Sequence, residues 1–344
     1  MSKIKNIFLI NLIIFFILII ILELILGNKL YPNKLNCSYL LCSVNHIYKN
    51  DLYKGKNFIK YSKDKYGFRG LRKDVDKIDI LVIGGSTTDE RYIELEDTWT
   101  EQLEIQLNNF YPSLNFDVVN AGIDGQSSIG HIWNFENWFP KIRNFKTKYI
   151  FFYIGLNEYF SKEKDGSDNL YKNKSIFQKM KFWLKENNGL IYKSYNLIYH
   201  KFFLEDNFNV GHKIRDNNYQ IAETDHSINK NNIEELNFRL NKLIKLTKEL
   251  NSIPVFITQK TFRYKIINNK VFSIDKFNYF LHEKKIAEVI TNNCKKNQII
   301  CIDLFSKIEF VDSDFYDLVH TNPVGSKKIA KFIFNESAFI VNNN

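Results

Sequence analysis

Short apolar runs alternate with amphipathic stretches along most of the chain. The apolar runs predict strands over 78–84, 116–120, 148–154, 253–258 and 298–304. The amphipathic stretches predict helices over 98–109, 127–143, 233–251, 276–296 and 323–341. In 233–251 the leucines recur every three or four residues and form one apolar stripe. Since most strands are separated by helices, the pattern predicts an α/β domain whose parallel sheet has helices on both faces.

The N-terminal segment has a different pattern. From Ile7 to Leu26 only Asn11 and Glu23 interrupt a continuous apolar run, which is long enough to cross the hydrocarbon core of a bilayer. A cleaved signal peptide is the alternative, although its apolar region is usually shorter and ends in a cleavage site that this run matches poorly. We therefore predict three parts, which are an uncleaved anchor over 1–28, a connecting segment over 29–75 and one large domain over 76–344.

The orientation of this anchor is not set by charge, because lysines stand on both sides of the apolar run. A short leader, one hydrophobic helix and a large following domain form the usual layout of a signal anchor. We expect the large domain to lie outside the cytoplasm, in the periplasm or the extracellular space.

The four cysteines are consistent with two alternatives. They form either two local disulfides, Cys37 with Cys42 and Cys294 with Cys301, or they are four free thiols.

Length and charge narrow the possible functions. With 344 residues, 44% of them hydrophobic, the chain can form one large core and a substantial insertion. The net charge of +10 comes from lysines dispersed along the chain without a nucleic-acid-binding module, so no nucleic acid partner is expected.

The polar stretch 159–232 does not fit a simple crossover and is either a lid or wall of a pocket or a surface insertion. Its aromatic residues are candidates for substrate contact or for helix packing: Trp183, Tyr192, Tyr195 and Tyr199.

Four short motifs carry the candidate chemistry. The first is GGSTT at 84–88, where Ser86 follows the first predicted strand in a glycine turn. Such a turn opens at the carboxyl end of a parallel strand, where these sheets hold ligands. The other three are NAGIDGQSS at 120–128, GLNE at 155–158 and DLVHTNP at 317–323. Each alone also fits ordinary punctuation between strand and helix, but together they supply a hydroxyl nucleophile, an imidazole, a carboxylate and hydrogen-bond donors, as acyl transfer requires.

Asp317 and His320 form a possible orienting pair. Three residues apart in a turn, the carboxylate can accept from one imidazole nitrogen and leave the other facing Ser86. The alternative is a surface pair that caps the last helix, of which Pro323 is expected to be the first residue. His131 is expected to be a packing or surface histidine rather than a second base.

The order GGS, NAGxxG, GxNE and DxxH resembles the SGNH hydrolases, also called GDSL-type esterases and lipases, over residues 66–335. GGSTT resembles the membrane-anchored bacterial members in particular. The resemblance implies a three-layer α/β/α, flavodoxin-like domain that cleaves esters or transfers acyl groups, often on carbohydrates or lipids. It implies Ser86 as nucleophile, His320 as base and Asp317 as its orienting carboxylate, with the amide of Gly125 and the side-chain NH₂ of Asn157 in the oxyanion hole.

Two positions depart from the family pattern, Gly85 in place of Asp before the serine and Glu158 in place of Asp after Asn157. Neither departure removes a group with a chemical step, although Glu158 is expected to change how the Asn157 loop is held. The segment YGFRG at 66–70 also resembles anchored family members. Arg69 in it is expected to pack structurally, with a reach into the pocket as the alternative.

The sequence thus predicts a membrane-anchored serine esterase that forms an acyl-enzyme through Ser86, whose own amide joins the oxyanion donors. The expected substrate is an O-acylated, above all O-acetylated, envelope or extracellular carbohydrate. The alternatives are a lipid esterase or lysophospholipase, an O-acyltransferase, and a non-catalytic glycan-binding envelope protein. No metal or cofactor is required for this chemistry, and the oligomeric state is not indicated by the sequence.

Overall fold

The computed structural model describes residues 2–26, 35, 40–71, 74–158, 176, 194, 219–222, 230–274 and 277–342. The chain divides into two units, Met1–Cys42 with Asn173–Asn207 and Ser43–Lys172 with Phe208–Asn344. Within the first unit, helix α1 spans Ser2–Leu26. Its part Ile4–Ile25 is long and apolar enough to cross a membrane, a property that signal sequences share.

The second unit contains the strands β1 (Val44–Lys49), β2 (Phe58–Lys63), β3 (Ile78–Gly84), β4 (Val118–Asn120), β5 (Thr147–Tyr153), β6 (Gln220–Ile221), β7 (Ile253–Ile257), β8 (Tyr264–Ile267), β9 (Lys270–Ser273) and β10 (Ile300–Ile302). Its helices are α2 (Ser86–Asp89), α3 (Trp99–Phe110), α4 (Ser128–Asn137), α5 (Lys230–Glu249), α6 (Tyr279–Asn297), α7 (Leu304–Lys307), α8 (Pro323–Glu336) and α9 (Phe339–Asn342).

Five parallel strands form the central sheet of this unit in the order β4-β3-β5-β7-β10. Numbered along the chain, that order is 2-1-3-4-5, the flavodoxin-like arrangement, in which ligands bind outside the carboxyl ends of the first and third strands, where the strand order reverses. The predicted parallel α/β fold is therefore confirmed, and all five predicted strands are present.

The sheet is buried on both faces. On one face, Ile80 and Val82 of β3 belong to a cluster that includes residues of α3 and α8, among them Trp99 and Ile329. On the other face, Phe152 of β5 stacks with neighbouring rings, which belong to Phe256 and Phe135. Since helices cover both faces, the domain has the expected three layers.

Two predicted helices are shorter than expected. The helix predicted over 127–143 ends at Asn137, ahead of a 3₁₀ turn over Phe139–Lys141 that contains Pro140. Proline disfavours a helical residue before it, which explains the early end. The helix predicted over 323–341 is interrupted after Glu336 and resumes as α9. Its predicted start is confirmed, because Pro323 is the first residue of α8.

The segment expected to connect anchor and domain contains an antiparallel hairpin of β1 and β2, in which Val44 pairs with Lys63. Tyr48, Ile59 and Tyr61 of this hairpin form a small buried cluster with Tyr92 packed against it. The hairpin thus has a core of its own inside the second unit.

The disulfide Cys294–Cys301 joins the end of α6 to β10, and Cys42 is also disulfide-bonded. These cysteines are therefore not free thiols. The candidate aromatic residues Trp183, Tyr192, Tyr195 and Tyr199 lie outside the described residues, and the role of 159–232 stays a prediction.

Candidate active site

Ser86 lies at the carboxyl edge of the sheet, where β3 ends at Gly84 and the short helix α2 begins. The loop after β4 carries Gly125, and the turn after β5 carries Asn157. Because β4 and β5 are the two neighbours of β3, three of the four motifs meet at the same end of three adjacent strands.

The fourth motif brings His320 to Ser86. Nε2 of His320 lies 2.8 Å from Oγ of Ser86, and Nδ1 of His320 lies 2.7 Å from Oδ2 of Asp317. The His320 ring stacks on Tyr316, with the ring centroids 5.7 Å apart and the planes 7° apart. The three side chains thus form one continuous hydrogen-bonded chain, with geometry suited to moving a proton from the hydroxyl to the imidazole.

Asp317 does not serve as the cap of the last helix. Its Oδ1 accepts hydrogen bonds from the backbone N–H groups of Val319 (2.7 Å) and His320 (2.6 Å). Asn322 caps α8 instead, by accepting from the backbone N–H groups of Val324 and Gly325. Burial raises the pKa of Asp317, but the hydrogen bonds from His320 and the backbone N–H groups outweigh it and hold that pKa below its usual value. The carboxylate is therefore ionised where it faces the imidazole.

Asn157 is held directly against the turn that contains Gly85 and Ser86. Its Nδ2 donates to the backbone oxygen of Gln126 at 2.8 Å, which ties the Asn157 turn to the residue that follows Gly125. A Cβ at Gly85 would lie 2.3 Å from the same Nδ2, so a side chain at position 85 would displace the Asn157 amide group. An asparagine NH₂ has two hydrogens. In the part of the chain that the structure describes, one of them is used by Gln126, which leaves the other for a ligand.

Glu158 explains how the Asn157 turn tolerates its departure from the family pattern. One carboxylate oxygen accepts from the backbone N–H of Ser128 at 2.7 Å, and the other accepts from the Ser128 hydroxyl at 2.7 Å. Arg239 donates to the same carboxylate at 3.2 Å. Glu158 thereby fixes the turn to Ser128, the first residue of α4.

Glu90 is a buried acid beside the site, and the sequence alone does not indicate its role. It is 4% exposed, and its Oε2 accepts from the backbone N–H of Trp99 at 2.7 Å. Its Oε1 contacts the hydroxyls of Ser326 and Thr321, the latter at 3.3 Å. Since Thr321 follows His320, Glu90 joins the turn that contains Ser86 to the loop that contains His320. No sequence signal distinguishes it from a surface glutamate.

Gln259, two residues after the end of β7, is a second such residue. Its Oε1 accepts from the backbone N–H of Leu156 at 2.7 Å, and its Nε2 donates to Oγ1 of Thr87 at 2.8 Å. Gln259 thus links the Asn157 turn to the residue after Ser86.

Two other residues considered from the sequence have structural roles. Arg69 is buried and donates to the backbone oxygens of Ser62, Asp89 and Ile93, so it packs as expected and does not reach the site. His131 is also buried, with Nδ1 3.2 Å from the Gln126 side chain. Burial lowers the pKa of His131 to about 3, and the neutral ring is a packing group rather than a second base.

Comparisons with known proteins give fold-level likenesses only. No family model and no curated protein matches the chain. Among similar solved structures is a lipolytic protein of the G-D-S-L family from Veillonella parvula, 15% identical, with 75% of this chain and 97% of that chain covered and a TM-score of 0.43. A variant acetyl xylan esterase from Geobacillus stearothermophilus is 15% identical, with 77% and 95% covered and a TM-score of 0.44. A lipolytic protein of the G-D-S-L family from Desulfitobacterium hafniense is 11% identical, with 76% and 99% covered and a TM-score of 0.41. Members of the family that the motifs resemble are thus among these structures, while the anchored GGSTT subtype stays a prediction.

Glu90→Gln is expected to change how stability depends on pH. Burial raises the pKa of Glu90 from 4.5 to about 8, although hydrogen bonds from Ser326 and Trp99 oppose the shift. The folded protein therefore keeps a proton that the unfolded chain releases above the lower value, and stability is lost as the pH rises through this window. Relative to Glu90→Gln, the melting temperature of the wild type should fall between pH 5 and pH 8. Glu309→Gln, at an exposed position, is the matched control, and parallel profiles for wild type and Glu90→Gln would contradict the expectation.

Proposed function

We propose that the chain is a serine ester hydrolase in which Ser86 is the nucleophile, His320 the general base and Asp317 the group that orients the imidazole. The observation that carries this proposal is the unbroken series of hydrogen bonds from Ser86 Oγ through His320 to Asp317. This series of hydrogen bonds lies at the carboxyl edge of a parallel sheet, beside Asn157. That location fits an ester carbonyl bound between the nucleophile and the amide donors.

The first half of the reaction forms an acyl-enzyme. His320 Nε2 accepts the Ser86 proton while Oγ attacks the ester carbonyl carbon, and the ionised Asp317 stabilises the imidazolium. The amides of Ser86 and Gly125 and the NH₂ of Asn157 donate to the negatively charged carbonyl oxygen. The tetrahedral intermediate then releases the alcohol, which takes the proton from Nε2, and the acyl group stays on Ser86.

The second half uses the same groups with water in place of the alcohol. His320 takes a proton from water, the hydroxide oxygen attacks the acyl carbon, and the C–O bond to Ser86 breaks. The proton on Nε2 returns to Ser86 Oγ, and a carboxylic acid leaves. A second alcohol in place of water would give acyl transfer by the same steps.

The proposed substrate is an O-acylated carbohydrate, with an acetyl ester as the first choice. The family resemblance of the motifs implies carbohydrate or lipid esters. The sequence 159–232, which follows directly after the Asn157 turn, is too polar overall to favour a lipid-facing lid. This composition is the reason for placing the carbohydrate ester before the lipid ester.

A fluorophosphonate probe tests the nucleophile on the full chain in detergent. We expect the wild type to hydrolyse short aryl esters and acetylated oligosaccharides and to carry the label on Ser86, because the probe reacts with an activated serine hydroxyl. Ser86→Ala should lose the label and about 10³-fold or more of kcat. Ser113→Ala, at an exposed serine, is the control and should match the wild type. A label on another residue, or unchanged turnover in Ser86→Ala, would contradict the assignment of the nucleophile. A preference for long-chain esters would contradict the proposed carbohydrate substrate.

We also propose that α1 is an uncleaved anchor and that the second unit lies outside the cytoplasm. The length and apolar composition of Ile4–Ile25 support a membrane span. The disulfide Cys294–Cys301 supports an oxidising compartment, because such bonds are rare in the cytosol.

Reporter fusions at the C-terminus test this location in a bacterial host. Alkaline phosphatase fused there should be active and green fluorescent protein should be dark, and the fusion should stay in the membrane fraction at the full mass of the chain. A chain without residues 2–26 is the control and should give the reverse pattern. Fluorescence of the full-length fusion would refute the outside location, and a soluble, shortened product would indicate a cleaved signal peptide.

A further inference from the structure

Lys63, the last residue of β2, is a buried lysine with two specific partners. It is 2% exposed, and its Nζ donates to the backbone oxygen of Gly122 at 2.8 Å and lies 3.1 Å from Oδ1 of Asp89. A buried ammonium is costly unless it is paired and hydrogen-bonded. This pair of contacts therefore accounts for how the charge is tolerated there.

The two partners of Lys63 stand on the two loops that hold proposed oxyanion donors. Asp89 is the last residue of α2, which begins at Ser86. Gly122 lies in the loop that leads from β4 to Gly125. One ammonium group, supplied by the N-terminal hairpin, thus bridges the nucleophile turn and the loop of Gly125.

The two loops are already in direct contact where Lys63 joins them. A Cβ at Gly122 would lie 2.3 Å from the backbone nitrogen of Asp89, so the two backbones pack without space for a side chain. The side chain of Asn120 donates to the backbone oxygen of Thr88 at 2.5 Å and accepts from the backbone N–H of Gly122 at 2.9 Å. A displacement of the Gly122 carbonyl would therefore be transmitted to the nucleophile turn.

A neutral hydroxyl and a second cation also face the Asp89 carboxylate. The Tyr61 hydroxyl lies 3.0 Å from both carboxylate oxygens, and Nε of Arg91 lies 3.7 Å from Oδ2. Arg91 also lies 3.7 Å from the carboxylate of Asp124, the residue before Gly125. The hairpin and the nucleophile turn thus share one ionic cluster whose centre, Lys63 and Asp89, is buried, and Lys63 is the member that contacts the Gly122 backbone.

We propose that Lys63 is a positioning residue that fixes the Gly125 loop relative to Ser86, so that the hairpin following the anchor segment is part of the catalytic centre. This inference rests on the proposed esterase function. Oxyanion donors act only when they are placed within a fraction of an ångström of the developing charge. Loss of the Gly122 contact should therefore reduce transition-state stabilisation while leaving substrate binding in the ground state largely intact.

Active-site titration separates positioning from folding in Lys63→Met. Fluorophosphonate counts the competent sites in the full chain, and kcat is then expressed per titrated site. We expect Lys63→Met to lose about 10- to 100-fold in kcat per site with KM within about 3-fold of the wild type. Lys60→Met, an exposed lysine on the same strand, is the matched control and should stay within about 2-fold in both. A purely structural role would lower the number of sites and leave kcat per site unchanged.

The double variant Lys63→Met/Asp89→Asn keeps the test decisive if loss of the ammonium group beside the buried Asp89 carboxylate prevents folding. It removes both charges, so the number of titrated sites should recover, but the Gly122 oxygen still lacks its donor and kcat per site should stay low. Three results would overturn the proposal. The first is a kcat per site in Lys63→Met equal to that of Lys60→Met, and the second is full recovery of kcat per site in the double variant. The third is loss of titratable sites in both the single and the double variant. If the wild type itself shows neither Ser86 labelling nor turnover, the proposed function fails instead.

Discussion

The hydrogen bond between Ser86 Oγ and His320 Nε2 is the interaction on which the account of this protein depends. It joins atoms 234 residues apart in the chain. It forms because β3 ends at the carboxyl edge of the sheet just before Ser86, while the loop before α8 brings the imidazole to the same edge. A parallel sheet collects remote loops at one edge in this way, and the switch in strand order beside β3 opens the crevice between them.

The sheet alone does not fix the distances between those loops. Buried polar side chains supply the remaining constraint, and each of them joins two loops: Glu90, Glu158, Gln259 and Lys63. Buried charges and amides are costly when unpaired, but fully hydrogen-bonded networks favour one arrangement of their surroundings. These side chains add little to the free energy of unfolding, but they hold the loops around Ser86 and His320 in fixed positions, as the proposed acyl transfer would require.

The part of this arrangement that could be predicted from sequence rests on local signals. The apolar run 78–84 has the bounds of β3, and the glycines and Pro323 indicate where strands end and where α8 begins. Ser86, Asp317 and His320 are candidates from the sequence because their residue types and neighbours are informative, and the structure brings their side chains together. The over-long helix predicted to 143 shows the limit of the same reasoning, since an amphipathic pattern continues past a break that Pro140 imposes.

The supporting residues could not be predicted, because a buried lysine or glutamate has no local signature that separates it from a solvated one. Glu90 reads as part of an exposed TTDE turn, and its partner Thr321 lies 231 residues away. Lys63 lies in a basic stretch that looks like a linker after an anchor. Such pairs depend on tertiary contacts alone, so they become visible only when the strands are placed.

A crystal structure of the protein with a phosphonate bound covalently to Ser86 tests the central claim most directly. We expect the phosphonyl oxygen to lie about 2.7 to 3.1 Å from the backbone nitrogens of Ser86 and Gly125 and from Nδ2 of Asn157, with the His320 ring still paired to Asp317. A phosphonyl oxygen directed away from all three donors, or a phosphorus atom bound to a different residue, would contradict the account.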